Sequence, residues 1–74
     1  MNKNLLYRSI PKVDVLLEEV EIQNAIDEYG RENVMEIIRE EMDALRAFIG
    51  TCDDEETALG KIESLSEQIL KHVE

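Results

Sequence analysis

The sequence predicts an all-α fold, a small bundle of about four helices over residues 11–19, 21–29, 31–49 and 54–73. Three observations carry that expectation. Apolar residues recur three and four positions apart through most of the chain, the period of one helix face. No stretch alternates apolar and polar residues as a half-buried strand would. Gly30, Gly50 and the run Asp53–Glu56, which interrupt the pattern, are helix stop and start signals. Amphipathic segments with such short connections pack as a bundle.

The single proline, Pro11, opens the first helix. Proline is tolerated in a first turn because its missing N–H would be unpaired there, and Ser9 is the best cap ahead of it. Val13, Leu16, Leu17 and Val20 follow at helical spacing. Residues 1–10 read as a flexible arm leading into this helix, pinned if Tyr7 packs with Leu6 against it. A break near Glu19–Glu21 separates a second run, Ile22, Ala25, Ile26 and Tyr29. That run ends at Gly30, a residue able to take the left-handed conformation that closes a helix.

The strongest pattern runs from Arg31 to Ile49. Val34, Ile38, Met42, Leu45 and Ile49 form one stripe, widened by Met35 and Phe48, and Gly50 is expected to end it. Asp53 with Glu56 reads as a capping box for the last helix, with Thr51 a second candidate cap. Ala58, Ile62, Leu65, Ile69 and Val73 line that helix. Gly60 weakens it by about 1 kcal/mol relative to alanine.

A chain of 74 residues makes one domain and buries only about 60% of the surface its unfolded form exposes. Cys52 is the single cysteine, so no internal disulfide forms, and a lone thiol suits a reducing compartment. With His72 the single histidine, a closed zinc site from this chain alone is excluded. The start MNKNLLYRSI lacks the apolar run of a signal peptide. Nothing approaches the ~18 apolar residues of a membrane span. The expectation is a cytoplasmic protein with no membrane partner and no metal.

The formal charge is −10, unevenly spread. Residues 1–13 carry Lys3, Arg8 and Lys12 and no acid; the rest hold five basic against eighteen acidic side chains. Charge alone argues against nucleic acid, but one end of the molecule is positive.

Most other candidate sites have a simpler structural account. Asp53–Glu56 lacks the alternating ligands and central glycine of a calcium loop, and acids in a first turn complement the helix dipole. Glu36 and Glu40 are better read as solvated surface than as an acid–base pair. Cys52 and His72 stand at opposite ends of the last helix, too far apart to act as nucleophile and base. Arg39 and Arg46 share a side of the long helix, yet Glu36, Glu40 and Asp43 lie three or four positions away, and local ion pairs explain them. Tyr7 could stack on an unpaired base; packing with Leu6 is favoured. Lys3, Arg8 and Lys12 remain the best functional candidate, a positive end suited to a polyanion.

The segments LYRSIPKVDVLL, IDEYGRENV and IREEMDALRAFI resemble the N-terminal domain of bacterial selenocysteine synthase, the L-seryl-tRNA(Sec) selenium transferase. The likeness runs from Leu6 to about Ile49 and includes Tyr29-Gly30-Arg31, Val34, Arg39, Asp43, Leu45 and Arg46. The last helix is similar only in position and type.

The resemblance implies a parent enzyme that replaces the seryl hydroxyl by selenium using pyridoxal phosphate in a large catalytic domain, within a homo-oligomeric ring. It implies that this chain, which stops at Glu74 near where the family's linker would begin, is a fragment or separately made domain with no activity and no cofactor of its own. It further implies selenocysteine tRNA as partner, recognised at the D-arm, beside the parent's own catalytic domain. Lys3, Arg8 and Lys12 are then the expected RNA contacts, with Asn2, Asn4 and Ser9 as hydrogen-bonding neighbours and Arg31 and Arg39 as secondary candidates. The rival is a protein-interaction module docking on the catalytic core or a neighbouring subunit, since an acidic body fits a basic protein surface. An independent small enzyme finds no support in the residues.

Overall fold

The sequence period translates directly into one long central helix. In the computed structural model, which describes residues 3–74, this is Arg31–Thr51. Its buried residues are Val34, Ile38, Met42, Leu45 and Ile49, the stripe the spacing predicted. At about 1.5 Å per residue it is roughly 31 Å long, and the other elements pack along it.

Numbered in chain order, the elements are α1 (Lys3–Ser9), α2 (Val13–Leu17), α3 (Val20–Tyr29), α4 (Arg31–Thr51), α5 (Glu55–Glu63) and α6 (Leu65–Val73). The all-helical bundle is as expected; its division into elements is finer. Residues 3–9 form a helix rather than an arm of unassigned structure. Leu6, only 1% exposed, anchors that helix in the same core as Ile10, Leu16 and the α4 stripe.

The first expected helix begins later and ends earlier than residues 11–19. Pro11 lies in the link between α1 and α2. The Ser9 hydroxyl donates back to the Leu5 carbonyl instead of capping α2, and Lys12 occupies the cap position. The chain then turns at Glu18–Glu19, so Val20 opens α3 and is 66% exposed instead of continuing the apolar stripe. The Ser66 hydroxyl donates to Glu19 Oε2 at 2.7 Å, tying this corner to α6.

Gly30 joins α3 to α4 with φ 93° and ψ 141°. This is not the left-handed helical conformation expected, but a region of positive φ that only glycine enters at little cost. A single residue can therefore close one helix and open the next. Gly50 does not end α4, which runs on to Thr51. Instead α1 crosses here: the Lys3 ammonium donates to the Gly50 carbonyl at 2.7 Å, and a Cβ on Gly50 would meet the Tyr7 hydroxyl at 3.4 Å. A cation on the last carbonyls of a helix also complements its dipole.

Asp54, not Asp53, caps α5. Its carboxylate accepts from the Glu56 amide at 3.2 Å and from the Thr57 hydroxyl at 2.6 Å. The last helix, expected to be continuous over 54–73, bends at Ser64. The Ser64 hydroxyl donates to the Lys61 carbonyl at 3.1 Å. Such a bond competes with the helical ladder and bends helices locally. The stripe nonetheless carries across the bend, burying Ala58, Ile62, Leu65 and Ile69.

Candidate nucleic-acid interface

α4 is the scaffold of the site. At about 100° per residue, Arg31, Met35, Arg39, Met42 and Arg46 fall within an arc of about 80° that adjoins the buried stripe and overlaps it at Met42. Three guanidinium groups and two thioethers therefore share one side of one helix. α1 and the link to α2 approach this side at its C-terminal end.

There, Tyr7, Arg8, Pro11, Lys12, Met42 and Arg46 border an open hollow of about 420 Å³. No acidic residue lines it. Arg8 and Lys12 come from opposite sides of the α1–α2 link and Arg46 from α4. The tertiary fold thus brings Arg46 to two cations, Arg8 and Lys12, from which it is far in sequence. Tyr7, 39% exposed, stands beside them with its hydroxyl against Gly50 of α4, so its ring is partly packed and partly open to solvent. Leu6 is the residue of α1 that is buried in the core.

Further along α4, Arg31, Glu32, Met35, Glu36 and Arg39 border a second hollow of about 660 Å³. Here the cations are interleaved with carboxylates, so its potential is weaker than that of the first.

The structure therefore sorts the five expected residues into three settings. Arg8 and Lys12 stand together, Arg31 and Arg39 stand together two turns away, and Lys3 is engaged with Gly50 outside both hollows. Asn2 lies outside the described residues. Arg46 joins the first group, although the sequence reading assigned it to a local ion pair. That pair exists, Nη1 to Asp43 Oδ1 at 3.4 Å, but both side chains are more than half exposed. An exposed pair of this kind is worth at most about 1 kcal/mol, so it does not hold Arg46 away from an anion. Its signal was the seven-residue spacing from Arg39; what hid it was a nearer acid.

Five of the eight basic side chains of the protein thus line one or other of these two hollows along α4. Among the described residues no helix is long and apolar enough to cross a membrane.

A family model described as selenocysteine synthase N terminal matches residues 7–46, which span α1 from Tyr7 through most of α4 and so contain all of this surface. No curated protein and no solved structure matches the chain. With more than half of its length matched, the chain belongs to the selenocysteine synthase N-terminal family.

Proposed function

We propose that this chain is the tRNA-recognition module of a selenocysteine synthase, and that Arg8, Lys12 and Arg46 hold the backbone of selenocysteine tRNA at its D-arm. The observation that carries this reading is the acid-free hollow in which those three cations meet Tyr7. Membership of the selenocysteine synthase N-terminal family is what makes selenocysteine tRNA the RNA of this proposal. Double-stranded RNA is recognised largely through its shape, phosphates and 2′-hydroxyls, so a few well-placed donors suffice. Arg31 and Arg39 extend the track along α4, and Tyr7 offers a face for an unpaired base at the edge of the D-arm.

A net charge of −10 opposes RNA at long range. The Debye length at physiological salt is about 8 Å, so carboxylates on the far side of the bundle are largely screened from a ligand on the α4 face. Affinity is then modest, and the domain contributes substrate choice and positioning while the parent's catalytic domain performs the selenium transfer. Pyridoxal phosphate belongs to that other domain. A Schiff-base lysine is desolvated to lower its pKa, whereas Lys12, Lys61 and Lys71 are exposed and Lys3 is bonded to Gly50. These residues do not fit the cofactor.

The test is an NMR titration of the labelled domain with selenocysteine tRNA, beside serine tRNA, across a range of salt. Shifts should gather at Tyr7, Arg8, Lys12 and Arg46 and be larger for selenocysteine tRNA. Three phosphate contacts give a slope of about −3 in log affinity against log salt, and Arg46→Gln should reduce its magnitude by about one. Absence of shifts with either RNA near millimolar concentration would reject the reading.

A further inference from the structure

Past Glu36, which borders the hollow of Arg31 and Arg39, the bundle carries a second surface of different chemistry. Where the end of α6 lies between α3 and α4, two open hollows of about 410 and 250 Å³ meet. Tyr29 and Val73 line both, and Ile37, Ala25 and Leu70 complete an apolar floor. All but the buried Ala25 are only half-buried, although the core closes over their neighbours Ile22, Val34 and Ile69.

The charged residues of this groove's rim are all acidic, with Asn24 and Asn33 the neutral polar ones. Glu21 and Glu28 stand on the α3 side, Glu36 and Glu40 on the α4 side, and Glu74 at the end of α6. No lysine, arginine or histidine lines either hollow. Among the described residues the ion pairs are Arg46–Asp43 and Glu41–His72, so none of these five carboxylates has a cationic partner. The arrangement has two parts of independent origin. The spacing of Glu21, Ala25 and Glu28 on α3, and of Glu36, Ile37 and Glu40 on α4, sets acids beside apolar positions on each helix. The packing of α6 between them brings the two acidic edges to face each other across an apolar strip.

We propose that this groove docks a cationic amphipathic segment of a partner protein, its apolar side chains entering the Tyr29–Ile37–Val73 strip and its lysines or arginines meeting the glutamates on both edges. Helix-in-groove recognition combines apolar anchors three, four and seven positions apart with flanking charge. Charge complementarity selects the partner and excludes RNA, which the same rim repels. A second copy of this chain is a poor occupant, since each copy carries −10. The surface meets the basic side of α4 at Glu36, which borders both, but it shares no cation with that side and does not depend on the RNA reading.

The probe is a synthetic helix of about 18 residues with leucines at helical spacing and lysines elsewhere. It is compared with a scrambled peptide of the same composition and with polylysine of equal charge, by NMR on the labelled 74-residue chain. The expected result is at least tenfold tighter binding of the amphipathic peptide than of either control, with shifts at Tyr29, Ile37 and Val73. Glu36→Lys with Glu40→Lys should weaken it about tenfold, while Asp53→Lys with Glu55→Lys, in an acidic run without an apolar floor, should change it less than twofold. Val73→Ser, near the end of the chain, checks the apolar strip without reversing charge. Equal binding of the controls, shifts centred on Asp53–Glu56, unchanged affinity of a folded Glu36→Lys/Glu40→Lys protein, or self-association that moves the groove signals without peptide would each overturn the proposal. Failure of the tRNA titration leaves all of these readouts intact.

Discussion

The two sides of α4 differ more from each other than either resembles the protein as a whole. One side shows Arg31, Arg39 and Arg46 with Met35; another shows Glu40 beside Ile37, and Glu36 stands on the border between them. Both flank the same buried stripe and rest on the same core. A net charge of −10 describes neither, because charge acts over about a Debye length, ~8 Å, and the molecule extends 39 × 18 × 15 Å. The lesson concerns partners: a strongly acidic chain can keep a basic surface where its helices segregate charge.

The largest effect comes from breaking what the two sides share. Ile38 is fully buried beneath both, and Ile38→Ala should cost about 2–5 kcal/mol, a large part of the ~5–15 kcal/mol available to a small domain. Thermal unfolding would show the loss, and binding on both sides should fail together. Should one side keep its binding in the destabilised protein, the shared-core account is wrong.

Gly30→Ala is next. The added Cβ meets nothing closer than Asn33 Nδ2 at 3.8 Å, so its cost is backbone strain at φ 93°, about 1–3 kcal/mol. Denaturant titration measures it. Because Tyr29 and Asn33 border the acidic groove, the damage should fall on that side before it reaches Arg46. An alanine variant as stable as the parent would mean that the joint relaxes to an ordinary helical turn.

Arg8→Glu with Lys12→Glu separates the sides without touching the core, since both side chains are exposed. RNA affinity should drop roughly tenfold or more at low salt through two lost phosphate contacts, with circular dichroism unchanged and peptide binding in the groove retained. Unaltered RNA affinity of the folded double variant would remove the hollow from the proposed interface.

Gly60→Ala is the smallest effect and serves as the control. Nothing lies within 4 Å of the added Cβ, and alanine should stabilise α5 by about 0.4–1 kcal/mol. Neither binding surface should respond.

The core was legible in the sequence because a helix repeats its environment every three to four residues. Every member of the α4 stripe named from spacing is buried, as are Ile22, Ala25, Ala58, Ile62, Leu65 and Ile69. Boundaries were less legible where a side chain found a competing partner. Ser9 bonds to Leu5 rather than capping α2, Asp54 caps in place of Asp53, and Ser64 bends a stripe whose apolar spacing is unbroken. These choices depend on a few degrees of backbone that spacing does not encode. α1 escaped notice because a seven-residue helix before a proline has too few apolar positions to display a period.

Local sequence by itself determined where the long helical segments lie, which face of each is apolar, and that Arg39 and Arg46 share a side of α4, since all three follow from the helical repeat. Only the tertiary structure decided that Arg8 and Lys12 join Arg46 beside Tyr7, that Lys3 turns to Gly50, and that the glutamates of α3 and α4 face one another across the end of α6. Those juxtapositions depend on how helices cross, and the crossing is set by side-chain packing between segments distant in the chain.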